Sequence, residues 1–116
     1  MMNIIYKSRD FDNREMYAMT MNAGIEKMSN HAGEVINIVD AVVYEDETTK
    51  GDMTKILSVR TSDGDILATN SPTVIRTFER MTTCFNNQFP LENVVIKPGI
   101  SKGGRNFIDL ALQLDA

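Results

Sequence analysis

Between Glu92 and Asp109 the sequence holds three cations, Lys97, Lys102 and Arg105, and no acid. They sit in or beside the stretch KPGISKGGRN, loosened by Gly99, Gly103 and Gly104. Anion binding is the chemistry these residues suit: glycines let backbone approach a phosphate, and the cations supply charge without a competing carboxylate. The same stretch touches two enzyme patterns. Gly99-Ile100-Ser101-Lys102-Gly103 satisfies G-x-S-x-G, but a serine elbow needs a following helix and a histidine with an acid in reach. A strand pattern follows instead, and the chain's one histidine is His31. Gly99 to Gly104 followed by Arg105-Asn106 is a near miss of the P-loop, with its Lys and Ser/Thr replaced and no helix after it. Hydrolase and nucleotidase chemistry are not expected.

Other residues of chemical interest have structural readings. A lone His31 in a loop makes neither a zinc site nor a triad. Cys84, near the end of a helical pattern, reads as a small packing residue. The acidic run Glu45-Asp46-Glu47, with Asp52 after Gly51, lacks the ligand spacing of a calcium loop and reads as a solvated hairpin tip. The expectation is a non-catalytic protein with no cofactor and no metal.

The elements that must position the basic loop belong to one domain. A chain of 116 residues is long enough for a single core, and 42% apolar with 24% charged residues is the composition of a globular domain. No apolar run reaches the ~18–20 residues of a membrane helix. The start, MMNIIYKSRDFDNRE, lacks the apolar centre of a signal peptide. One cysteine excludes an internal disulfide and suits a reducing compartment, so the cytoplasm is expected. A net charge of −4 argues against coating duplex DNA by charge alone, yet leaves room for a local patch.

Residues 1–13 are polar and aperiodic and read as a mobile arm, leaving 14–116 as the domain. REMYAMTMN (14–22) alternates as a strand, and 23–33 reads as a connection. EVINIVDAVVYEDE (34–47) is a long β-branched strand, followed by the turn TTKGD and a strand over 53–62. Asp63-Gly64 between two apolar runs predicts a two-residue type I′ hairpin pairing Arg60 with Leu67 and Ser58 with Thr69. Leu57, Val59, Ile66 and Ala68 then share the core face, and Ser58, Arg60 and Thr69 face outward with Ile56 and Leu67. Ser71 as N-cap and Pro72 at the first helical position begin a helix with a stripe of Val74, Phe78, Met81 and Phe85, ended by NNQFP. Strands over 92–100 and 106–114 follow, the last with Ile108, Leu110, Leu112 and Leu114 alternating against Phe107 and Asp109. A mainly β fold results. Its order matches an OB-like antiparallel barrel, with one helix between the third and fourth barrel strands and an extra N-terminal strand. The alternative is an open antiparallel sheet with the helix on one face.

In an OB-type barrel the basic loop joins the last two strands and flanks the nucleic-acid face, and the outward side of the hairpin pair, with Arg60, extends the track. Phe107 points away from the core face and Tyr44 lies near the mouth of the long strand. Exposed aromatics beside cations suit single-stranded nucleic acid, because each stacked base contributes ~1–3 kcal/mol. Core packing is the alternative for each ring, and the one kept for Tyr17. For the basic loop the alternative is a solvated hairpin connection.

The run from GEVINIVDAVVYED through SDGDILATNSPTVIRTF to VVIKPGISKGGRNFIDLALQL resembles the small single-stranded-DNA-binding proteins of protein-primed tailed phages of Gram-positive bacteria. What carries the resemblance, over about residues 33–114, is order and spacing. A strand ending in Tyr44 is followed by the Gly51-Asp52 turn, the Asp63-Gly64 hairpin and a helix start at Ser71, Thr73 and Val74. A valine-rich strand then enters Ser101-Lys102-Gly103, and an alternating leucine strand closes the run. The resemblance implies binding of displaced single strands during phage replication in the host cytoplasm, alongside phage replication proteins, with Tyr44, Lys102 and Phe107 at matching positions. A rival reading makes the chain a phage-type protein-interaction domain that inhibits a host or defence protein through its acidic edge, with Glu45 and Glu47 in contact.

Overall fold

A computed structural model describes residues 2–114. The chain forms a curled, open, mixed sheet, a half-barrel, carrying two helices. Its spine is β3 (Val35–Glu47), whose β-branched residues bury both faces over Ala41–Tyr44. One edge of β3 pairs with β4 (Met53–Thr61). The other edge is shared: Val35–Ile38 pair with β6 (Leu91–Ile100) and Val42–Glu45 with β1 (Asn3–Lys7). β5 (Ile66–Thr69) and β7 (Asn106–Leu112) extend the sheet on its two sides, and β2 (Glu26–Lys27) adds a parallel pair to β5. The order is β2-β5-β4-β3-β6-β7. Among the described residues the free side of β5 pairs with β2 and not with β7, so the expected ring does not close.

Three hairpins use one turn design. Thr48-Thr49-Lys50-Gly51-Asp52, Thr61-Ser62-Asp63-Gly64-Asp65 and Ser101-Lys102-Gly103-Gly104-Arg105 each open on a hydroxyl residue and place glycine fourth. The first residue donates its N–H to the carbonyl of the fifth at 2.8–2.9 Å and accepts the glycine N–H at 2.9 Å. Glycine takes φ of 80–92°, as a three-residue loop with a bulge requires. The β4–β5 turn is therefore one residue longer than the Asp63-Gly64 reading predicts. Val59 pairs with Leu67 and Arg60 with Ile66. That one-residue difference exchanges the faces of β5: Leu67 enters the core and Ile66 turns to the opposite side.

α2 (Pro72–Cys84) begins as the sequence predicts, with Ser71 Oγ accepting the Val74 N–H at 3.3 Å and Pro72 in the first turn. Val74, Phe78 and Met81 are buried, together with Ile75, while Phe85 at the stripe's end is exposed. Phe78 sits among the rings of Tyr6 and Phe89. α2 also reaches β7, where Thr77 Oγ1 donates to Asp109 at 2.6 Å.

The N-terminal third departs from expectation. Residues 3–7 are a sheet strand, not a free arm, and 13–20 are a helix, α1 (Asn13–Thr20), not a strand. Asp12 and Glu15 explain the helix: Asp12 Oδ1 accepts the Glu15 N–H at 2.8 Å while Glu15 accepts the Asp12 N–H at 3.0 Å. α1 lays Met16 and Met19 on the face of the sheet opposite α2, against Val42, Tyr44, Ile56 and Ile66. A 3₁₀ turn (Met28–His31) buries Met28 in the main core, and Gly33 and Glu34 then run beside β6, bonded to both polar groups of Ile96.

Candidate nucleic-acid interface

The β6–β7 hairpin gathers most of the expected site. Its register pairs Lys97 with Asp109, Gly99 with Phe107 and Ile100 with Asn106. Lys102 occupies the turn and Arg105 its far shoulder, both exposed. The turn is fixed from within, since Ser101 Oγ accepts the Arg105 N–H at 3.2 Å. The Ser101 hydroxyl thus serves the turn, and β7 follows it. Two of the three related turns end in aspartate, Asp52 and Asp65, whereas this one ends in Arg105. Lys97, Lys102 and Arg105 form no ion pair among the described residues. Asp109, across from Lys97, gives its carboxylate to Thr77 and to the Leu110 N–H.

Phe107 is 45% exposed. Its ring rests on the backbone of Gly99: a Cβ there would lie 2.4 Å from Cζ and under 3.0 Å from both Cε atoms. The hairpin therefore holds an aromatic plate against its own backbone while leaving much of it to solvent. Sequence reasoning named Phe107 but missed Gly99. The signal was available, since a glycine falls opposite an aromatic once the Ser101–Arg105 turn sets the register.

Beside the plate a groove of about 760 Å³ separates the hairpin from the 3₁₀ turn and the start of α2. Phe107 and Ile100 line one side, and Ser29, Thr69, Asn70 and Ser71 line the other. Ile100 is 72% exposed. Charge is segregated along the chain: from Pro72 to Leu114 five cations meet three carboxylates, whereas the first 71 residues carry seven cations and twelve carboxylates. The net acidity lies in the part of the sequence before the hairpin.

Two expected residues are elsewhere. Tyr44 is only 5% exposed, packed with Met19 and Val42 beneath α1, and its hydroxyl donates to the Thr20 carbonyl at 3.3 Å. Burial, and then the charge of Asp46, push its pKa up. A ring so covered presents no face to a base. Arg60 binds the buried carboxylate of Asp40 through Nε at 2.9 Å and also through its terminal nitrogen. Arg9 meets the same carboxylate at 2.8 Å, stacks over Phe11 at 4.4 Å and reaches Glu15. Burial raises the pKa of Asp40, but the hydrogen bonds from Arg9 and Arg60 outweigh it and hold the carboxyl below its ordinary range. Arg60 is thus tied to the carboxylate that also anchors the N-terminal segment, with its side chain 42% exposed.

The acidic run projects with the β3–β4 hairpin, where Glu45 pairs with Lys55 in register and accepts from the Asn3 amide at 3.4 Å. His31 bridges Glu34 at 2.8 Å and Glu26 at 2.9 Å, and these hydrogen bonds raise its pKa. Cys84 is exposed at the end of α2. Among the described residues no three acidic, histidine or cysteine side chains converge as metal ligands, and no helix is long and apolar enough to cross a membrane. Comparison with protein-family models, with curated proteins and with solved structures yields no match.

Proposed function

We propose that the chain is a non-catalytic, largely sequence-independent single-stranded-DNA-binding protein, acting in a host cytoplasm to coat and protect strands displaced during phage replication. The observation that carries this reading is the Phe107 ring seated on Gly99, beside three cations that have no carboxylate partner among the described residues, and at the lip of a groove. A base stacked on that ring contributes ~1–3 kcal/mol whatever its identity, and the cations hold its phosphates. The order β3-β4-β5-α2-β6-β7, with β3 flanked by β4 and β6, supports an OB-type ancestry for the half-barrel, with β2 and the 3₁₀ turn on the side where β5 and β7 would meet.

The test is fluorescence anisotropy with a mixed strand of about 30 nucleotides and its duplex. The three hairpin cations contribute about −2 to the slope of log K against log salt, from ~0.7 per contact on single strands, so a slope of at least that steepness is expected. Binding of the single strand but not the duplex, lost on replacing Lys102 and Phe107, is the expected result. Equal affinity for both forms, or none at low salt, refutes the proposal. The rival rests on the projecting acidic β3–β4 hairpin. It predicts a basic protein partner lost on changing Glu45 and Glu47 and indifferent to Lys102 and Phe107.

A further inference from the structure

Beyond Asn70 the groove at Phe107 does not end. Asn70 also lines a second depression, of about 380 Å³, with Lys55, Arg76 and Glu79. Arg76 and Glu79 in turn line a third, of about 450 Å³, which adds Arg80 and Thr83. The three depressions are thus linked by shared residues, from the β6–β7 hairpin past the start of α2 and along its outer face. Only one ion pair among the described residues lies on this route, Lys55 with Glu79 at 4.0 Å. Arg76 and Arg80 are exposed and meet no carboxylate among the described residues. Standing one helical turn apart, they repel each other by a few tenths of a kcal/mol, a cost that an anion laid across them removes.

We infer that α2 carries a second phosphate-binding track, and that a single strand stacked on Phe107 continues over Asn70 to Arg76 and Arg80. This rests on the single-strand reading above and extends it from one hairpin to a path across the molecule. Spaced phosphates suit two arginines in a row on a helix, each offering a planar fork of donors. Glu79 stands on the same route and opposes the strand, so its removal strengthens binding while freeing Lys55.

The experiment measures the salt dependence of single-strand binding for four proteins. With Arg76 and Arg80 added to the three hairpin cations, the wild-type slope is about −3.5, from ~0.7 per contact. The double variant R76Q/R80Q brings it to about −2, with weaker affinity at low salt, and Glu79→Gln raises affinity. A charge-matched control, R14Q/K50Q, removes two cations from α1 and the β3–β4 turn and leaves the slope unchanged. All four side chains are exposed, and thermal melts verify that each variant is folded. If R76Q/R80Q keeps the wild-type slope and affinity, or behaves as R14Q/K50Q does, the α2 track is refuted while hairpin binding stands. If wild-type protein binds no single strand, the underlying reading fails with it.

Discussion

Replacing Gly99 with alanine separates stacking from charge more cleanly than removing a cation does. The added Cβ would sit 2.4 Å from Phe107 Cζ, far inside van der Waals contact, so the ring must leave its seat. Phe107 is 45% exposed and has room to swing outward, which keeps the stability cost modest. No charge changes. If the seated ring supplies a ~1–3 kcal/mol stack, Gly99→Ala weakens single-strand binding by about 5- to 150-fold, at 1.36 kcal/mol per factor of ten. The salt slope stays at its wild-type value, because every phosphate contact remains. Phe107→Ala loses the same amount, and the double variant loses little more than either alone, since both act through one ring. Anisotropy titrations at three salt concentrations measure affinity and slope together, and circular dichroism melts check the fold. Two results refute the reasoning. One is wild-type affinity in folded Gly99→Ala and Phe107→Ala. The other is full additivity, which would mean that Gly99 acts on something other than Phe107.

The His31 clip and the Asp40 cluster give two pH-dependent predictions of opposite sign. His31 has a raised pKa through its bonds to Glu34 and Glu26, so its stabilisation is complete below the ordinary value of 6.5 and lost as pH rises through the folded value. Melting temperature should therefore fall as pH is raised above 6.5, and H31Q should flatten that limb; an unchanged profile in H31Q removes the clip from the account. At the other end, hydrogen bonding to Arg9 holds the Glu15 carboxyl down to about 2, and Asp40 is also lowered. Their stabilisation is present above the usual carboxylate values and lost as pH falls through their lowered folded values. Asp40→Asn takes the shared carboxylate from both arginines, leaving Arg9 its pair with Glu15, and should cost about 2–3 kcal/mol in urea unfolding. That is below the ~3–5 of a fully buried pair, because the arginines are 40% and 42% exposed. A loss under about 0.5 kcal/mol, the range of an ordinary surface change, would refute the anchoring role.

What the sequence makes legible here is local. α2 is readable because Ser71, Pro72 and the spacing of Val74, Phe78 and Met81 all point one way. The β4–β5 register is not, because Asp63-Gly64 fits a two-residue turn as well as the end of a three-residue one. The repeated pattern of Thr or Ser three places before Gly, at Thr48, Thr61 and Ser101, is the internal evidence that decides it. α1 was hidden by a short apolar run that suits a strand as well as a helix, and only the Asp12–Glu15 box distinguishes them. Barrel closure is harder still. Whether β5 meets β7 or β2 depends on contacts far apart in the chain, which no local pattern encodes.

The same distinction explains why two of the six expected site residues lie elsewhere. Phe107, Lys102 and Arg105 lie within one hairpin, so pairing alone assembles them. Tyr44 and Arg60 lie on the face of β3 and β4 that would be outward in an uncovered barrel, and their exposure depends on what the first twenty residues do. Those residues fold back: β1 pairs with β3, Arg9 reaches Asp40, and α1 closes over Tyr44. Below this cover the sheet keeps polar groups unusual for a core, with Asp40 between two arginines and the Ser58 hydroxyl buried without a partner among the described residues. A binding surface shared between this face and the β6–β7 hairpin would be blocked at its first half. A surface that runs from the hairpin over Asn70 to α2 avoids the N-terminal cover altogether, and it follows the part of the sequence where cations outnumber carboxylates.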